Sequence, residues 1–443
     1  MPIPGARATF EGSPIKSAAI NRNGMFSSVQ AWYVWGCVAA FYLYEMILRV
    51  SPSIMTHGLM KDFEVSSTSL GVLSSFYYFA YVPLQIPCGI IVDRLGTRKV
   101  VTFSALLCTI GALIFAESSH LPLAQFGRFL IGAGSACAFL SCLKVTAEWF
   151  PLSQFALIAG LTNMMGTLGG TFGGRPLAML VTDHGWRSTT TYIGLAGILV
   201  TILCWIIIRD SPPKQAPKKS APPKFRKRDL FSELGTLIKN RQVWLIAIFG
   251  GLMYVPISAF TELWGVPYLM QIYGINSELA STASIMVFIG MAVGSPAAAW
   301  LTDYYKSHLT VMKLSAISAS ICFISIVFAA HFPLWFTFSL LFGGGFCIGG
   351  QVLCFTCVKQ NTPKEMSATT IGFTNAVVMM GGLIFQPLLG YILDLGWDGG
   401  ITAEGIRHYT NLAYQVSIIA IPCCLLVSWF LLRFVRETYT IQD

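Results

Sequence analysis

Charge is scarce in this sequence: Asp, Glu, Lys and Arg make up only 11% of its 443 residues, whereas soluble domains carry about a quarter. With 54% hydrophobic residues, such a chain cannot cover a water-soluble surface, so lipid must be the solvent for most of it. Catalytic signatures are missing too. No H-E-x-x-H, G-x-S-x-G or phosphate-loop pattern occurs, and His57, His120, His184, His308, His331 and His408 fall mostly at the ends of apolar runs. No enzyme, cofactor or metal site is expected. The 12 cysteines lack metal-ligand spacing. Cys354 and Cys357 lie in an apolar run with no second pair, and all the cysteines read as small, reduced packing residues. The N-terminal stretch MPIPGARATFEGSPIKSAAINRNG has no early apolar core, so no cleaved signal peptide is expected.

What is present is a series of apolar runs of membrane-crossing length. About twelve are read, near 31–56, 67–92, 99–117, 122–147, 153–181, 188–208, 242–270, 279–302, 310–330, 333–358, 367–394 and 409–433. The long polar insertion SPPKQAPKKSAPPKFRKRDL, Ser211 to Leu230, is rich in Pro, Lys and Arg and reads as a flexible linker. The expected organisation is an N-terminal segment 1–30, a six-helix bundle 31–208, a linker 209–241, a second six-helix bundle 242–433 and a tail 434–443. The net charge of +9 does not point to nucleic acid. Its Lys and Arg gather on the side of the termini and linker and leave Lys61, Arg187 and Arg407 opposite, so termini and linker are expected in the cytoplasm. The bilayer, here a bacterial inner membrane, is the expected surrounding, and a monomer is expected to suffice.

The two halves echo one another. Pro151, GLTN (Gly160 to Asn163) and Gly169-Gly170 recur at constant spacing as Pro363, GFTN (Gly372 to Asn375) and Gly381-Gly382. Asp93 and Asp303 close the second span of each half. Duplicated six-helix units are how many secondary transporters surround a midplane site. The second span ends in GIIVDRLGTRK, Gly89 to Lys99. This resembles the signature G-x-x-x-D-R-x-G-x-R-K of the major facilitator superfamily at every fixed position. The resemblance implies an all-α membrane protein of twelve transmembrane helices in two pseudo-symmetric bundles that moves a solute by alternating access. It also implies a cytoplasmic gate, to which Asp93, Arg94, Arg98, Lys144, Glu148 and Asp303 are assigned. Arg128, Gly132 and Gly134 resemble the family's fourth-helix R-x-x-x-G-x-G, and Lys144 ahead of Trp149 resembles a basic residue of the organic-anion and organophosphate branches.

Charges inside the spans mark the candidate site. A charged side chain at bilayer depth costs about 3 kcal/mol on insertion scales. Yet YEMILRV, Tyr44 to Val50, places Glu45 and Arg49 four residues apart on one helix face, about 6 Å from each other. Arg49 falls where the organic-anion branches carry a substrate-contacting arginine, although Leu48 stands where they carry an Asp. Arg128, Arg175 and Glu262 lie at similar depth. Tyr77, Tyr81 and Gln85 form an i, i+4, i+8 row, and Gln351 and Asn375 add amides in later spans. Together they outline a wet cavity. Arg49, Tyr77, Tyr81, Gln85, Arg128, Arg175, Gln351 and Asn375 are the expected substrate ligands, with guanidiniums for a carboxylate or phosphate. Glu45 and Glu262 are the expected proton carriers of a symporter for a small anionic or zwitterionic solute, an organic acid, polycarboxylate or organophosphate. A peptide or amino-acid transporter and a drug exporter of the same fold stay open. Thr167 after Gly166, where antiporters carry G-P, counts against the exporter.

Overall fold

The computed structural model describes residues 22–210, 227–328, 332–363 and 366–436. These are helical apart from connecting turns and one isolated bridge between Ile401 and Arg407. The first half forms α1 (Arg22–Val50), α2 (Pro52–Phe63), α3 (Ser67–Leu95), α4 (Thr97–Glu117), α5 (Leu121–Ser135), α6 (Ala138–Trp149), α7 (Leu152–Phe172) and α8 (Arg175–Ile207). After α9 (Lys227–Lys239) come α10 (Arg241–Val255), a π-helical segment (Pro256–Trp264), α11 (Gly265–Tyr273), α12 (Ser277–Tyr305) and α13 (His308–Val327). The chain continues through α14 (Leu334–Ile348), a 3-10 turn (Gly349–Val352), α15 (Leu353–Gln360), α16 (Ser367–Leu395), α17 (Asn411–Ile418) and α18 (Ala420–Leu431).

Eleven helical stretches among the described residues are long and apolar enough to cross a membrane. The longest, Leu157–Ile207, has 51 residues, about 76 Å if straight, against a hydrocarbon core of about 30 Å. Gly185 breaks it, with a φ of 78° that favours glycine. Lipid offers the backbone no hydrogen bonds, so helix starts supply their own caps. Ser66 accepts from the Ser69 N–H, Asn240 from Gln242, Asn276 from Leu279 and Thr410 from Ala413.

Several helices expected to be continuous are interrupted. The first span breaks between Val50 and Pro52, the fourth at Ala136-Cys137, and the tenth at its 3-10 turn. The seventh departs at Pro256, whose missing N–H cannot close an α-helical bond, and continues as a π-helical segment. Interruptions of this kind free backbone groups and re-aim side chains, which places Arg49 and Glu262 beside breaks.

The segment read as a linker, 209–241, contains α9, whose Leu237 is buried and whose Glu233 accepts a hydrogen bond from Thr369 Oγ1 at 2.5 Å. The rest of the linker, 211–226, lies outside the described residues, as do 1–21 of the N-terminal segment and the tail from 437. The cysteines are not all reduced: the break at Ala136-Cys137 brings Cys137 against α3, where it forms a disulfide with Cys88. Cys354 and Cys357 are buried thiols outside that disulfide.

The halves meet chiefly along α3 and α16, which run antiparallel. A Cβ on Gly71 would stand 2.4 Å from the Gln386 carbonyl oxygen, and one on Gly390 would stand 2.3 Å from that of Ser67. Only glycine permits this approach. Both contacts lie at the end of the bundle remote from the α3–α4 turn and the linker, called here the opposite end.

Candidate functional site

Arg49 sits at the end of α1 and is 4% exposed. Glu45, on the same face of its own helix, is not its ion-pair partner. Arg49 Nε lies 3.0 Å from Glu262 Oε1, on the π-helical segment of the other half. Its Nη2 donates to Tyr78 Oη at 3.1 Å and Tyr254 Oη at 3.2 Å, with Met379 Sδ at 3.4 Å. Tyr78 in turn donates its O–H to Glu262 Oε2. The rings of Tyr77, Tyr78, Tyr81 and Tyr254 surround the guanidinium with centroids 5.3–5.9 Å from its carbon. This is cation–π distance. Arg49 therefore ties together α1, α3, α10, the π-helical segment and α16.

Glu45 accepts from Tyr77 Oη at 3.0 Å and is 1% exposed. No ion pair involves it among the described residues. Arg128 is also buried, but its terminal nitrogens face backbone: Nη1 donates to the Leu48 carbonyl at 2.8 Å and Nη2 reaches that of Arg49 at 3.5 Å. These carbonyls belong to the C-terminal turn of α1, which has no helical donors left and carries the negative end of the helix dipole. The N–H at Arg128 Nε has no hydrogen-bond acceptor among the described residues.

The other expected ligands divide. Tyr81 stacks on Tyr77 at 5.5 Å. Asn375 Nδ2 donates to Gln85 Oε1 at 2.8 Å across the halves, and Gln85 Nε2 donates to the Ala136 carbonyl. Gln351 is buried in the 3-10 turn with its amide toward Cys354 Sγ at 3.8 Å. Arg175 is exposed at the first position of α8. It does not join the cluster, because Gly173-Gly174 end α7 before it. The wet cavity is not open at the cluster either: Glu45, Tyr77, Tyr78, Arg128 and Glu262 are all 1% exposed or less. Their own side chains fill the space.

Of the expected gate residues, Asp93 accepts from Lys144 Nζ at 2.8 Å, and Lys144 lies 3.8 Å from Glu148. Arg98 donates its backbone N–H to Asp210 and its Nε to the Trp205 carbonyl. All of these bonds stay within the first half. Arg94 is exposed beside Asp93, and Asp303 is exposed near the end of α12.

Bonds between the halves gather at the opposite end. Asp394, near the end of α16, accepts from the backbone N–H groups of Ser67 and Thr68 at 3.3 and 2.9 Å and from Thr68 Oγ1 at 2.5 Å. It thereby caps the first turn of α3, where a carboxylate meets unpaired donors and the positive end of the dipole. Tyr409 Oη and Arg407 Nη1 donate to it at 2.5 and 3.3 Å. Burial, joined by the carboxylate, pushes the Tyr409 hydroxyl up to about 12. Lys61 and Glu404 add an exposed ion pair at 2.7 Å, and the Lys61 hydrogen bond holds Glu404 below the usual carboxylate range.

Tyr78, Tyr254, Met379 and Asp394 were not among the expected site residues. Tyr78 stands one position off the Tyr77 row, and helical spacing alone set it aside. Asp394 did leave a signal, since Gly390-x-x-x-Asp394 repeats Gly89-x-x-x-Asp93.

Comparison with known proteins agrees with this architecture. The chain is 24% identical over 396 residues to the uncharacterized transporter YybO of Bacillus subtilis, covering 82% of this chain and 88% of that one. It is 24% identical over 395 residues to a probable L-galactonate transporter of Escherichia coli, covering 83% and 86%. The solved inward-facing structure of a bacterial homologue of the human lysosomal transporter Spinster superposes with a TM-score of 0.72 at 16% identity, covering 91% of this chain and 96% of that one. The Major Facilitator Superfamily profile matches residues 25–385 and again 263–440. A multi-pass integral membrane protein, the chain belongs to the Major Facilitator Superfamily.

Proposed function

We propose that the protein is a proton-coupled secondary transporter that moves a small organic anion across the membrane by alternating access. The observation that carries the reading is the Arg49–Glu262 pair, buried and shared between the two halves. A buried guanidinium keeps its charge and presents a fork suited to a carboxylate. In the empty carrier Glu262 holds the Nε corner of that fork, with Tyr78 and Tyr254 on Nη2. An incoming anion competes for it, and a proton on Glu262 releases it, so anion and proton enter together. Glu45, on Tyr77 rather than on a cation, is a second candidate proton carrier. The relative that handles L-galactonate supports an acid of this class.

In this reading the chain crosses twelve times, with Leu157–Ile207 counted as two spans and both termini in the cytoplasm. The Asp394 cap and the Gly71 and Gly390 contacts close the side away from the cytoplasm, while Asp93 waits on Lys144 within its own half. Cycling breaks the first set and gives Asp93 a new partner. The test is uptake of labelled L-galactonate into proteoliposomes under an imposed pH gradient. Accumulation that follows the gradient supports the reading. Uptake indifferent to the gradient removes the coupling, and absence of both uptake and exchange for every organic acid tried removes the transporter.

A further inference from the structure

Resting on that reading, we infer that the site has a single exchangeable anion seat, which restricts the substrate to hydroxylated monocarboxylates and makes transport electroneutral, one proton with each anion. Four ionisable side chains meet here, but only Arg49 is held by a group that can leave. The terminal nitrogens of Arg128 are bonded to the Leu48 and Arg49 carbonyls, which stay in place when substrate enters. Arg175 is exposed and outside the cluster, and Lys144 is bonded to Asp93 and to the Val92 carbonyl. A proton on Glu45 would release a tyrosine hydroxyl and no cation. A second carboxylate, or the second charge of a phosphate monoester, therefore finds no forked partner.

What remains beside the seat suits hydroxyls. Arg128 Nε offers one unpaired N–H, which can bond a hydroxyl but cannot grip a carboxylate with two parallel bonds. The Gln85–Asn375 amides supply donors and acceptors four residues along α3 from Tyr81, and the stacked rings of Tyr77 and Tyr81 offer apolar faces to carbon-bound hydrogens. With Glu45 and Arg128 keeping one protonation state throughout, the charge balance sets the stoichiometry. Before loading, Arg49 and Glu262 sum to zero. After loading, the proton has gone to Glu262, the substrate carboxylate pairs with Arg49, and the sum is again zero. Empty and loaded carriers then cross with the same charge.

The experiment uses the full chain in proteoliposomes at pH 7, exchanging labelled L-galactonate against D-gluconate, D-glucarate or glucose 6-phosphate. A potassium diffusion potential is imposed separately from a pH gradient. D-gluconate should compete about as well as L-galactonate, while the two dianions should compete at least about 100-fold more weakly, the effect of burying a charge without its partner. Uptake should follow the pH gradient and ignore the potential. Glu45→Gln should leave the dianions excluded. Equal competition by D-glucarate, or uptake driven by the potential, overturns the single-seat inference while leaving the transporter reading standing. Failure of all four acids to exchange overturns both.

Discussion

Replacing Glu262 by Gln removes the anion that holds Arg49 in the empty carrier while keeping the shape of the side chain. Breaking a buried ion pair from one side typically costs about 3–5 kcal/mol, because the remaining charge is left uncompensated. Arg49 and Glu262 are 4% and 1% exposed, so solvent gives little relief. An anion bound to the variant restores a partner to Arg49 without first displacing one. Its affinity at neutral pH should therefore rise by about 3 kcal/mol, roughly 100-fold. In the unaltered protein, binding takes up one proton wherever Glu262 is ionised, so affinity for L-galactonate should weaken about tenfold per pH unit. In E262Q it should be flat. Thermal-shift titrations with L-galactonate at several pH values read both quantities, since a ligand that binds the folded state raises the melting temperature. The variant should also lose pH-driven accumulation yet retain exchange. Unchanged pH dependence, together with full pH-driven accumulation, would refute the reasoning.

Arg49→Lys keeps the charge and loses the fork together with the bonds to Tyr78 and Tyr254; binding of L-galactonate should fall about 10- to 100-fold, read by the same titration. Asp394→Asn weakens the acceptor for the Ser67 and Thr68 N–H groups and for Arg407. The loss of about 2 kcal/mol should shift the carrier toward opening there, read as a longer spin-label distance between Ser119 and Asp398. The Lys61–Glu404 contact follows linkage: a carboxylate lowered by its partner contributes above its ordinary value and loses that contribution as pH falls through the lowered one. The same label pair should keep its distance between pH 7 and pH 5 and lengthen only below about pH 4.

Much of the fold was legible because apolar length is a property of composition, which lipid reads segment by segment. The buried charges were legible for the same reason: Glu45, Arg49, Arg128 and Glu262 each stand out against an apolar run, and all four converge. Their pairing was not legible. Helical spacing sees only neighbours on one helix and sets Glu45 beside Arg49, whereas the ion-pair partner of Arg49 lies 213 positions away on a π-helical segment begun by Pro256. Arg128 looked like a ligand because a buried arginine wants acceptors. The acceptors it found are α1 carbonyls freed by the break before Pro52, and backbone groups leave no trace in a side-chain pattern. Arg175 fell outside because two glycines end the helix ahead of it, and the Cys88–Cys137 link depends on a break in the fourth span that no proline announces.

The claim on which the account rests is that the transported anion replaces Glu262 on Arg49. A structure of the full chain with L-galactonate bound tests it most directly. The account requires the ligand carboxylate on the Arg49 fork at about 2.8 Å, with Glu262 moved off the guanidinium. A ligand seated elsewhere, with Arg49 still on Glu262 at its present distance, would contradict it.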